Sequence, residues 1–312
     1  MIEIIRRHLG RLPRGYSAIG DDVAVTPVKG EKLVVKSDML VRRTDVPGGM
    51  SYRQAARKAV ASCVSDFAAK GIAPDSFLIS LGLPRGISER EASDLADGFA
   101  DAAREWKVTL VGGDTNEADD LIIDCTMLGF GEQITSRGGA KAGELVLTTG
   151  EFGLSSAGLK ILLEGAKAEP GFREVAVGRV LKPTPRLELG VAISRYLTAS
   201  IDSSDGLATC LYSIAGMSQV GIALTRLPFG KGLEKFARMN GYSLEELVLY
   251  GGEEYEIVGT VGKRVFPKAA GAARAIGEEL LLIGETTRGR GVRLRTGVGE
   301  RAVEDRGWVH LS

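Results

Sequence analysis

The chain has 312 residues, enough for two packed domains of about 150 residues each. Forty basic and forty acidic residues cancel, so composition provides no overall field that would attract nucleic acid or an anionic membrane. The first residues lack a signal-peptide core, no stretch approaches an apolar membrane span, and the three cysteines form no C-x-x-C pair. We therefore expect a soluble cytoplasmic protein without a disulfide framework or a zinc site.

The first half of the chain alternates strand-like and helix-like segments. Apolar runs predict strands over residues 32–36, 77–83, 108–111 and 121–130. Residues 52–70 predict a long amphipathic helix that ends at Gly71. Residues 88–106 predict a second helix, opened by a serine cap and an acidic first turn.

The pattern breaks at a glycine-rich basic loop, S-R-G-G-A-K-A-G at residues 136–143, which we take as a domain boundary. After it, strands are expected over residues 144–150, 197–201, 221–224 and 255–261. Helices are expected over residues 155–164 and 186–196 and again after residue 206. The sequence therefore predicts an α+β or mixed α/β protein with domains 1–135 and 136–312.

Carboxylates cluster at several points where an apolar run stops or a turn begins. The clusters are G-D-D at 20–22, S-D at 37–38, S-D at 65–66, G-G-D-T at 112–115, I-D-S-S-D-G at 201–206 and G-G-E-E-Y-E at 251–256. Asp66 is the exception, since it falls late in a predicted helix. Any one cluster could be a helix N-cap or a turn, because serine and aspartate suit both. Their recurrence in both halves favours a shared divalent-metal site.

The ligand types indicate which metal such a site would hold. Carboxylates and hydroxyls without nearby histidine or cysteine are hard oxygen donors, so Mg²⁺ is favoured, Mn²⁺ could substitute, and zinc is disfavoured. The two histidines, His8 and His310, lie near the termini and are expected at the surface. Because Mg²⁺ commonly pairs a few carboxylates with substrate phosphates, several carboxylates predict several ions, a polyphosphate and phosphoryl transfer.

Known nucleotide-binding signatures are missing from the sequence. There is no G-x-x-x-x-G-K-[ST] loop, no G-x-G-x-x-G that opens a helix, and no H-R-D loop to accompany the S-D-F-A at 65–68. Phosphate binding would then depend on metals, on glycine amides and on Arg137 in the glycine-rich loop. The alternative for Arg137 is an ordinary solvated loop charge.

Seven motifs in order resemble those of thiamine-monophosphate kinase. They are G-D-D-V-A-V, S-D-M-L-V, V-S-D-F-A-A-K-G-I-A-P, V-G-G-D-T, S-R-G-G-A-K-A-G, I-D-S-S-D-G-L and G-G-E-E-Y-E-I. The resemblance runs from about residue 15 to residue 312 and extends to the superfamily of aminoimidazole ribonucleotide synthetase and selenophosphate synthetase. It implies a metal- and ATP-binding N-terminal domain whose strands complete a β-barrel across a homodimer. An α+β C-terminal domain would complete the active-site cleft.

The same resemblance implies the site residues. The implied magnesium ligands are Asp22, Ser37, Asp38, Asp66, Asp114, Asp202, Asp205 and the backbone carbonyl of Lys36. The implied ATP contacts are Gly113, Asp114, Arg137 and Ser204, with Trp106 either over the nucleotide or in the core. The implied substrate contacts are Glu253 and Trp308, whose indole offers a face to a cationic ring. Two positions depart from the family: Asp45 stands at an implied substrate position, where many members have a histidine that contacts substrate, and Glu254 replaces an aspartate.

The activity implied is ATP-dependent phosphorylation of thiamine monophosphate to thiamine diphosphate by direct in-line transfer. The acceptor phosphate is already ionised, so no general base is needed, and Mg²⁺ would relieve the repulsion between two anions. The alternatives are an ATP-dependent synthetase of the same superfamily and a non-catalytic metal- or nucleotide-binding module. A selenophosphate synthetase would carry a reactive cysteine in an N-terminal loop, and the hydrogenase-maturation relative ends in a cysteine, whereas this chain ends W-V-H-L-S.

Overall fold

The computed structural model of the chain describes residues 20–297 and 299–307. Within these ranges the strands form two sheets, and helices pack against both. The strands of the first sheet are β1 (Ala24–Val28), β2 (Glu31–Val41), β3 (Pro74–Pro84), β4 (Thr109–Ala118) and β5 (Ile122–Phe130). The helices of this half are α1 (Arg42–Asp45), α2 (Tyr52–Lys70) and α3 (Glu89–Trp106). The mixed α+β character predicted from the sequence is confirmed.

The first sheet has the order β1-β2-β5-β3-β4, and only its β3–β4 pair is parallel. One face packs against α2 and α3 around an apolar cluster, and the other face stays largely exposed. Residues that pair across neighbouring strands share a face of the sheet. The exposed face, here called the open face, carries Ser37, Met39, Asp114, Asp124 and Phe130. Met39 and Phe130 expose 59% and 53% of their surface.

Helix α2 differs from the amphipathic helix that the sequence predicts. Its boundaries agree: Ser51 and Gln54 form a capping box at its start, and Gly71 ends it with a φ of +71°. The expectation of one solvent-facing side is wrong, because α2 is buried over most of its circumference. The helix lies between the first sheet and strand β7 of the second half, where Ser200 Oγ donates to the Ala69 carbonyl. Its polar side chains are therefore enclosed in the protein.

The second half forms a seven-stranded sheet in the order β12-β11-β8-β10-β6-β9-β7. Its strands are β6 (Leu145–Thr148), β7 (Ala199–Asp202), β8 (Gly221–Leu224), β9 (Ile257–Val261), β10 (Leu281–Thr287), β11 (Gly291–Thr296) and β12 (Gly299–Ala302). Its helices are α4 (Leu154–Glu164), α5 (Pro170–Leu181), α6 (Leu187–Ile193), α7 (Leu207–Ser218), α8 (Leu233–Asn240), α9 (Leu244–Leu249) and α10 (Phe266–Ala275). A separate apolar cluster fills the space between this sheet and its helices. Among the described helices, none is long and apolar enough to cross a membrane.

Several elements of the second half differ from the sequence prediction. The helix expected over 186–196 is α6 followed by a short 3-10 turn at Ser194–Tyr196. The sequence analysis did not predict four of these helices, α5, α8, α9 and α10. It also did not predict the strands β10, β11 and β12. These additions extend the second sheet and its helical cover. Most of the carboxylate clusters lie elsewhere, where the two halves meet.

Candidate active site

A cleft of about 1030 Å³ lies between the two halves of the molecule. Strand β2 contributes Lys36 and Asp38 to its wall, and α2 contributes Lys58 and Asp66. The second half contributes two loops, residues 202–205 after β7 and residues 250–255 before β9. Carboxylate clusters that are far apart in sequence therefore face one space.

Three buried carboxylates form the centre of the candidate site. Asp22 precedes β1, Asp66 lies in α2, and Asp202 ends β7, and one oxygen of each lies within 4.8 Å of the others. Asp66 and Asp202 line the cleft, and Asp22 is buried beside them. Burial, with the neighbouring carboxylates, raises the pKa of Asp66 well above its ordinary value. The same causes, burial first and then Asp22, raise the pKa of Asp202 to about 7.

Cationic side chains from two other segments, β2 and the 136–143 loop, lie beside these carboxylates. Lys36 Nζ lies 2.9 Å from Asp66 Oδ2 and 3.8 Å from Asp38 Oδ2. Burial would lower the pKa of Lys36, but the charges of Asp66 and Asp38 raise it above its ordinary value. Arg137 donates from Nε to Asp22 Oδ1 at 2.7 Å and from Nη1 to the Gly20 carbonyl. The site thus concentrates negative charge, and lysine and arginine side chains compensate it through ion pairs.

A fully buried lysine supports the same carboxylates from behind. Lys70 Nζ lies 2.6 Å from Asp21 Oδ1 and 2.7 Å from Asp22 Oδ2, and it donates to the Ser200 carbonyl at 2.8 Å. Asp21 also accepts from Ser136 Oγ, and its pKa is lowered because Lys70 outweighs the effect of burial. The ammonium therefore fixes the segment before β1 against strand β7 of the second half.

The I-D-S-S-D-G stretch does not use its first aspartate as a helix cap. Helix α7 begins after Gly206, which has no side chain and adopts a φ of +106°. Asp202 Oδ2 instead accepts a hydrogen bond from Ser65 Oγ at 3.0 Å. The capping interpretation of Asp202 is therefore wrong, and the carboxylate points into the buried cluster.

The loop at 203–205 is clamped to the G-G-E-E-Y-E loop by hydrogen bonds that its main chain and the Ser203 side chain accept. The Ser204 carbonyl accepts from Glu253 N at 2.8 Å, and Ser203 Oγ accepts from Glu256 N at 2.9 Å. A Cβ atom at Gly252 would lie 2.5 Å from the Ser204 carbonyl, so only glycine permits this approach. The clamp presents Ser204, Asp205 and Glu253 together at the cleft.

Two of the predicted substrate residues, Asp45 and Glu253, line the cleft. Glu253 forms an ion pair with Lys58, with Oε1 2.5 Å from Nζ. Asp45 Oδ2 accepts a hydrogen bond of 2.7 Å from the backbone N–H of Val41, the residue before α1. Trp308 falls outside the described residues, as do His8 and His310. The contacts of Asp45 and Trp308 with a substrate remain predictions.

Lys58 and Lys70 were missed by the sequence reading, although a signal was present. Lys58, Ser62, Asp66 and Lys70 recur every four residues in α2, which places them along one side of the helix. Three of them line the cleft and the fourth holds Asp22. A polar stripe at this spacing in a helix rich in alanine and valine predicts a helix whose buried side faces a functional site.

Three predicted residues lie away from the cleft on the first sheet. Ser37 and Asp114 point to the open face, because successive side chains of a strand alternate between faces. Ser37 Oγ lies 3.0 Å from both carboxylate oxygens of Asp124, so its hydroxyl is turned away from the buried carboxylate cluster. Gly113 packs against β3, where a Cβ atom would lie 1.8 Å from the Ile79 carbonyl. The contacts of Gly113 and Asp114 with ATP or metal remain predictions.

Trp106 also lies outside the cleft lining. Its indole packs against the apolar cluster of the first half. The Arg57 guanidinium lies over the ring, 4.8 Å from its centroid, and Glu105 pairs with the same arginine. This arrangement matches the core alternative left open by the sequence, and a contact with the nucleotide stays a prediction.

Glu254, the departure from the family motif, is a buried structural residue. Its Oε1 accepts from Gly153 N at 2.6 Å and from Ser155 N at 3.1 Å, at the start of α4. Burial is the main cause that raises its pKa to about 8, with nearby Glu256 adding to it and the two N–H donors opposing it. Glu256 is compensated by Arg186, whose Nε donates to it at 2.8 Å.

Glu254→Gln should weaken the pH dependence of stability between about pH 5 and pH 8. The folded protein retains a proton on Glu254 in this range, whereas the unfolded chain releases it near its ordinary pKa of 4.5. The free energy of unfolding therefore falls as pH rises through this window, by an amount on the order of a few kcal/mol from this group. Glutamine keeps an acceptor oxygen and does not titrate. Urea unfolding at pH 5 and pH 8 should show a smaller loss in the variant, and an equal loss in both proteins would contradict the expectation.

Comparison with known proteins gives a consistent result. Residues 20–130 match the family described as AIR synthase related protein, N-terminal domain. A thiamine-monophosphate kinase of Nitrosopumilus maritimus is 36% identical over 100% of this chain and 97% of its own length. The thiamine-monophosphate kinase of Pyrococcus abyssi is 33% identical over 100% of this chain and 95% of its own length.

The chain also matches solved structures over nearly its whole length. One described as AaThiL complexed with AMPPCP and TMP superposes with a TM-score of 0.87 at 29% identity. The match covers 99% of this chain and 96% of that one. The fold of nearly the whole chain, both halves included, therefore has a close structural counterpart.

Proposed function

The chain belongs to the thiamine-monophosphate kinase family, and on that premise we propose that it transfers the γ-phosphoryl group of ATP to thiamine monophosphate, releasing ADP and thiamine diphosphate. The observation that carries the proposal is the convergence of Asp22, Asp66 and Asp202 beside a cleft built from both halves. The relative with AMPPCP, an analogue of ATP, and TMP supports both substrates. In the transfer, an oxygen of the acceptor phosphate bonds to the γ-phosphorus while the bond to the β–γ bridging oxygen breaks.

The central residues fit Mg²⁺. All donors are oxygens, and the carboxylates are buried close enough together to raise their own pKa values, so a cation would stabilise them. We propose Asp22, Asp38, Asp66, Asp202 and Asp205 as side-chain ligands, with main-chain support from Lys36 and Ser37. Bound Mg²⁺ would supply neutralisation of the phosphate charge that opposes the encounter of two anions.

Each part of the cleft then has a role that follows from its position. Asp202 and Asp205 project from the clamped loop, so their placement depends on the Ser203 and Ser204 hydrogen bonds. Arg137 lies beside Asp22 at the cleft, where its guanidinium can exchange that carboxylate for a phosphate. No residue has to remove a proton, because the acceptor phosphate is ionised at neutral pH.

We further propose domains 1–135 and 136–312 and a homodimer in which the first sheets of two chains complete a β-barrel. The exposed apolar side chains of the open face, such as Met39 and Phe130, support burial against a second copy. Asp114 and Gly113 would then lie at the interface between the two chains. Because the reaction consumes ATP, we place the protein in the cytoplasm, as the sequence predicts.

A coupled assay of ADP release tests the function. We expect release that requires both thiamine monophosphate and Mg²⁺, with thiamine diphosphate formed in equal amount. Unphosphorylated thiamine should not support release, because it lacks the acceptor phosphate. Release of ADP without formation of thiamine diphosphate would favour the synthetase alternative, and binding of ATP without any turnover would favour the non-catalytic module.

Arg137→Ala should raise the KM for ATP by about tenfold or more and the KM for thiamine monophosphate by less than about twofold. A charge-assisted hydrogen bond contributes about 1.5–3 kcal/mol, and 1.4 kcal/mol corresponds to a factor of ten. Steady-state kinetics with each substrate varied in turn measure the difference. Similar increases in both constants would show that Arg137 acts by holding Asp22 and Gly20 rather than by contacting the nucleotide.

A further inference from the structure

One buried ammonium joins the two halves of the molecule, beside two residues that the family resemblance assigns to the substrate. Lys58 projects from α2, and its side chain is 2% exposed. Its Nζ donates to Glu253 Oε1 at 2.5 Å, in the second half, and to the carbonyl of Asp45 at 2.8 Å, in the first half. Both residues occupy positions that the family resemblance assigns to the substrate.

The pairing leaves Glu253 facing the cleft. The Glu253 side chain keeps 27% of its surface exposed, whereas Lys58 is enclosed. Lys58 also lines the cleft, but its side chain is almost fully covered, so a ligand would meet more of the carboxylate than of the ammonium. The ammonium fixes one carboxylate oxygen, so the other is held in a single direction.

The backbone around Glu253 has a conformation that requires such support. Glu253 and Tyr255 adopt φ angles of +61° and +55°, which residues other than glycine rarely adopt. Tyr255 is held by a hydrogen bond of 3.2 Å between its hydroxyl and Ser62 Oγ, one turn after Lys58 in α2. Two side chains of the same helix thus hold two unfavourable backbone positions of the same loop. Such positions persist where the surrounding structure fixes them, and they cluster at functional sites.

We propose that Lys58 is a positioning residue for the phosphoryl acceptor. It orients Glu253 to bind a cationic or amino-bearing heteroaromatic group of the acceptor, and it ties this contact to Asp45 across the cleft. The inference rests on the proposed function and adds a residue that acts on one substrate only. The two groups of residues then bind different parts of the acceptor. The carboxylate cluster binds the phosphate, and the Lys58–Glu253 pair binds the remainder.

Kinetic analysis of Lys58→Met tests the proposal, because methionine matches the apolar stem and removes the charge. We expect the KM for thiamine monophosphate to rise about tenfold or more while the KM for ATP stays within twofold. A double-mutant cycle with Glu253→Gln should be strongly non-additive: once Lys58 is methionine, the second substitution should change the KM for thiamine monophosphate by less than twofold.

Lys263→Met is the matched control, because Lys263 also pairs with a carboxylate, that of Glu285, but lies outside the cleft. It should leave both KM values within twofold, and an increase equal to that of Lys58→Met would overturn the proposal in favour of a general charge effect. An unchanged KM for thiamine monophosphate in a folded Lys58→Met variant would also overturn it. Should that variant not fold, Glu253→Gln alone must raise this KM at an unchanged melting temperature, or the proposal fails. Absence of turnover in the wild-type protein would instead overturn the proposed function.

Discussion

Asp202→Asn should lower the turnover of thiamine monophosphate by about a thousandfold while the protein remains folded. The amide keeps the shape and can still accept the hydrogen bond from Ser65 Oγ, but it is a poor ligand for Mg²⁺. Metal-ion stabilisation of transferring phosphates contributes several kcal/mol, and about 4 kcal/mol corresponds to a factor of a thousand in rate. The measurement is kcat at saturating ATP and thiamine monophosphate over a series of Mg²⁺ concentrations.

Asp75→Asn provides the matched control, because Asp75 is exposed in β3 and does not line the cleft. It should retain wild-type turnover at every Mg²⁺ concentration. Near-normal activity of Asp202→Asn at limiting Mg²⁺ would contradict the metal-site assignment. The fold can be checked separately by calorimetry without metal.

Asp202→Asn should be more stable than the wild-type protein at pH 8 when metal is absent. The pKa of Asp202 is about 7 in the folded protein and near 3.8 in the unfolded chain, because burial and Asp22 oppose its ionisation. Ionisation of Asp202 therefore costs stability as pH rises from about 4 through 7. Asparagine avoids this cost, so the melting temperature of the variant should exceed that of the wild type at pH 8, with a smaller difference at pH 5.

The sequence predicted that distant carboxylates share one site, and the structure brings Asp22, Asp66 and Asp202 together. This much was predictable because acidic residues that are brought together repel one another unless a cation compensates their charge. Repeated acidic clusters in one sequence therefore indicate a cation-binding site. The directions of the side chains were harder to predict. Strand alternation places Lys36 and Ser37 on opposite faces, so the Lys36 ammonium enters the cluster and the Ser37 hydroxyl leaves it.

Other differences arise from tertiary contacts that have little local signature. The burial of α2 depends on strand β7, more than a hundred residues later, so its own periodicity could not reveal it. Helix α5 opens at Pro170 and buries only Ala176 and Val180, which leaves a weak apolar pattern. The cations that compensate the site come from α2, β2 and the 136–143 loop, and their pairing is a property of the assembled halves.

Lys70→Met should destabilise the protein by about 3–5 kcal/mol, the typical cost of removing one partner of a buried ion pair. Lys70 is fully buried, and its loss leaves Asp21 and Asp22 with less positive charge and the Ser200 carbonyl without this donor. At about 2–4 °C per kcal/mol, the melting temperature should fall by roughly ten degrees. Differential scanning calorimetry of metal-free protein at pH 7.5 measures this change. Lys268→Met, at an exposed position of α10, should change stability by no more than about 0.5 kcal/mol.

Two further measurements separate the effect of the lost charge in Lys70→Met from that of the lost hydrogen bond to the Ser200 carbonyl. The double variant Asp22→Asn with Lys70→Met should be more stable than Lys70→Met alone, because removing both charges leaves less uncompensated charge in the interior. Added Mg²⁺ should raise the melting temperature of Lys70→Met more than that of the wild type, since a cation near Asp22 replaces the missing ammonium. Both results follow only if Lys70 acts through its charge. A Lys70→Met variant whose melting temperature stays low under both conditions would show that the lost hydrogen bond to the Ser200 carbonyl, and not the lost charge, accounts for the loss of stability.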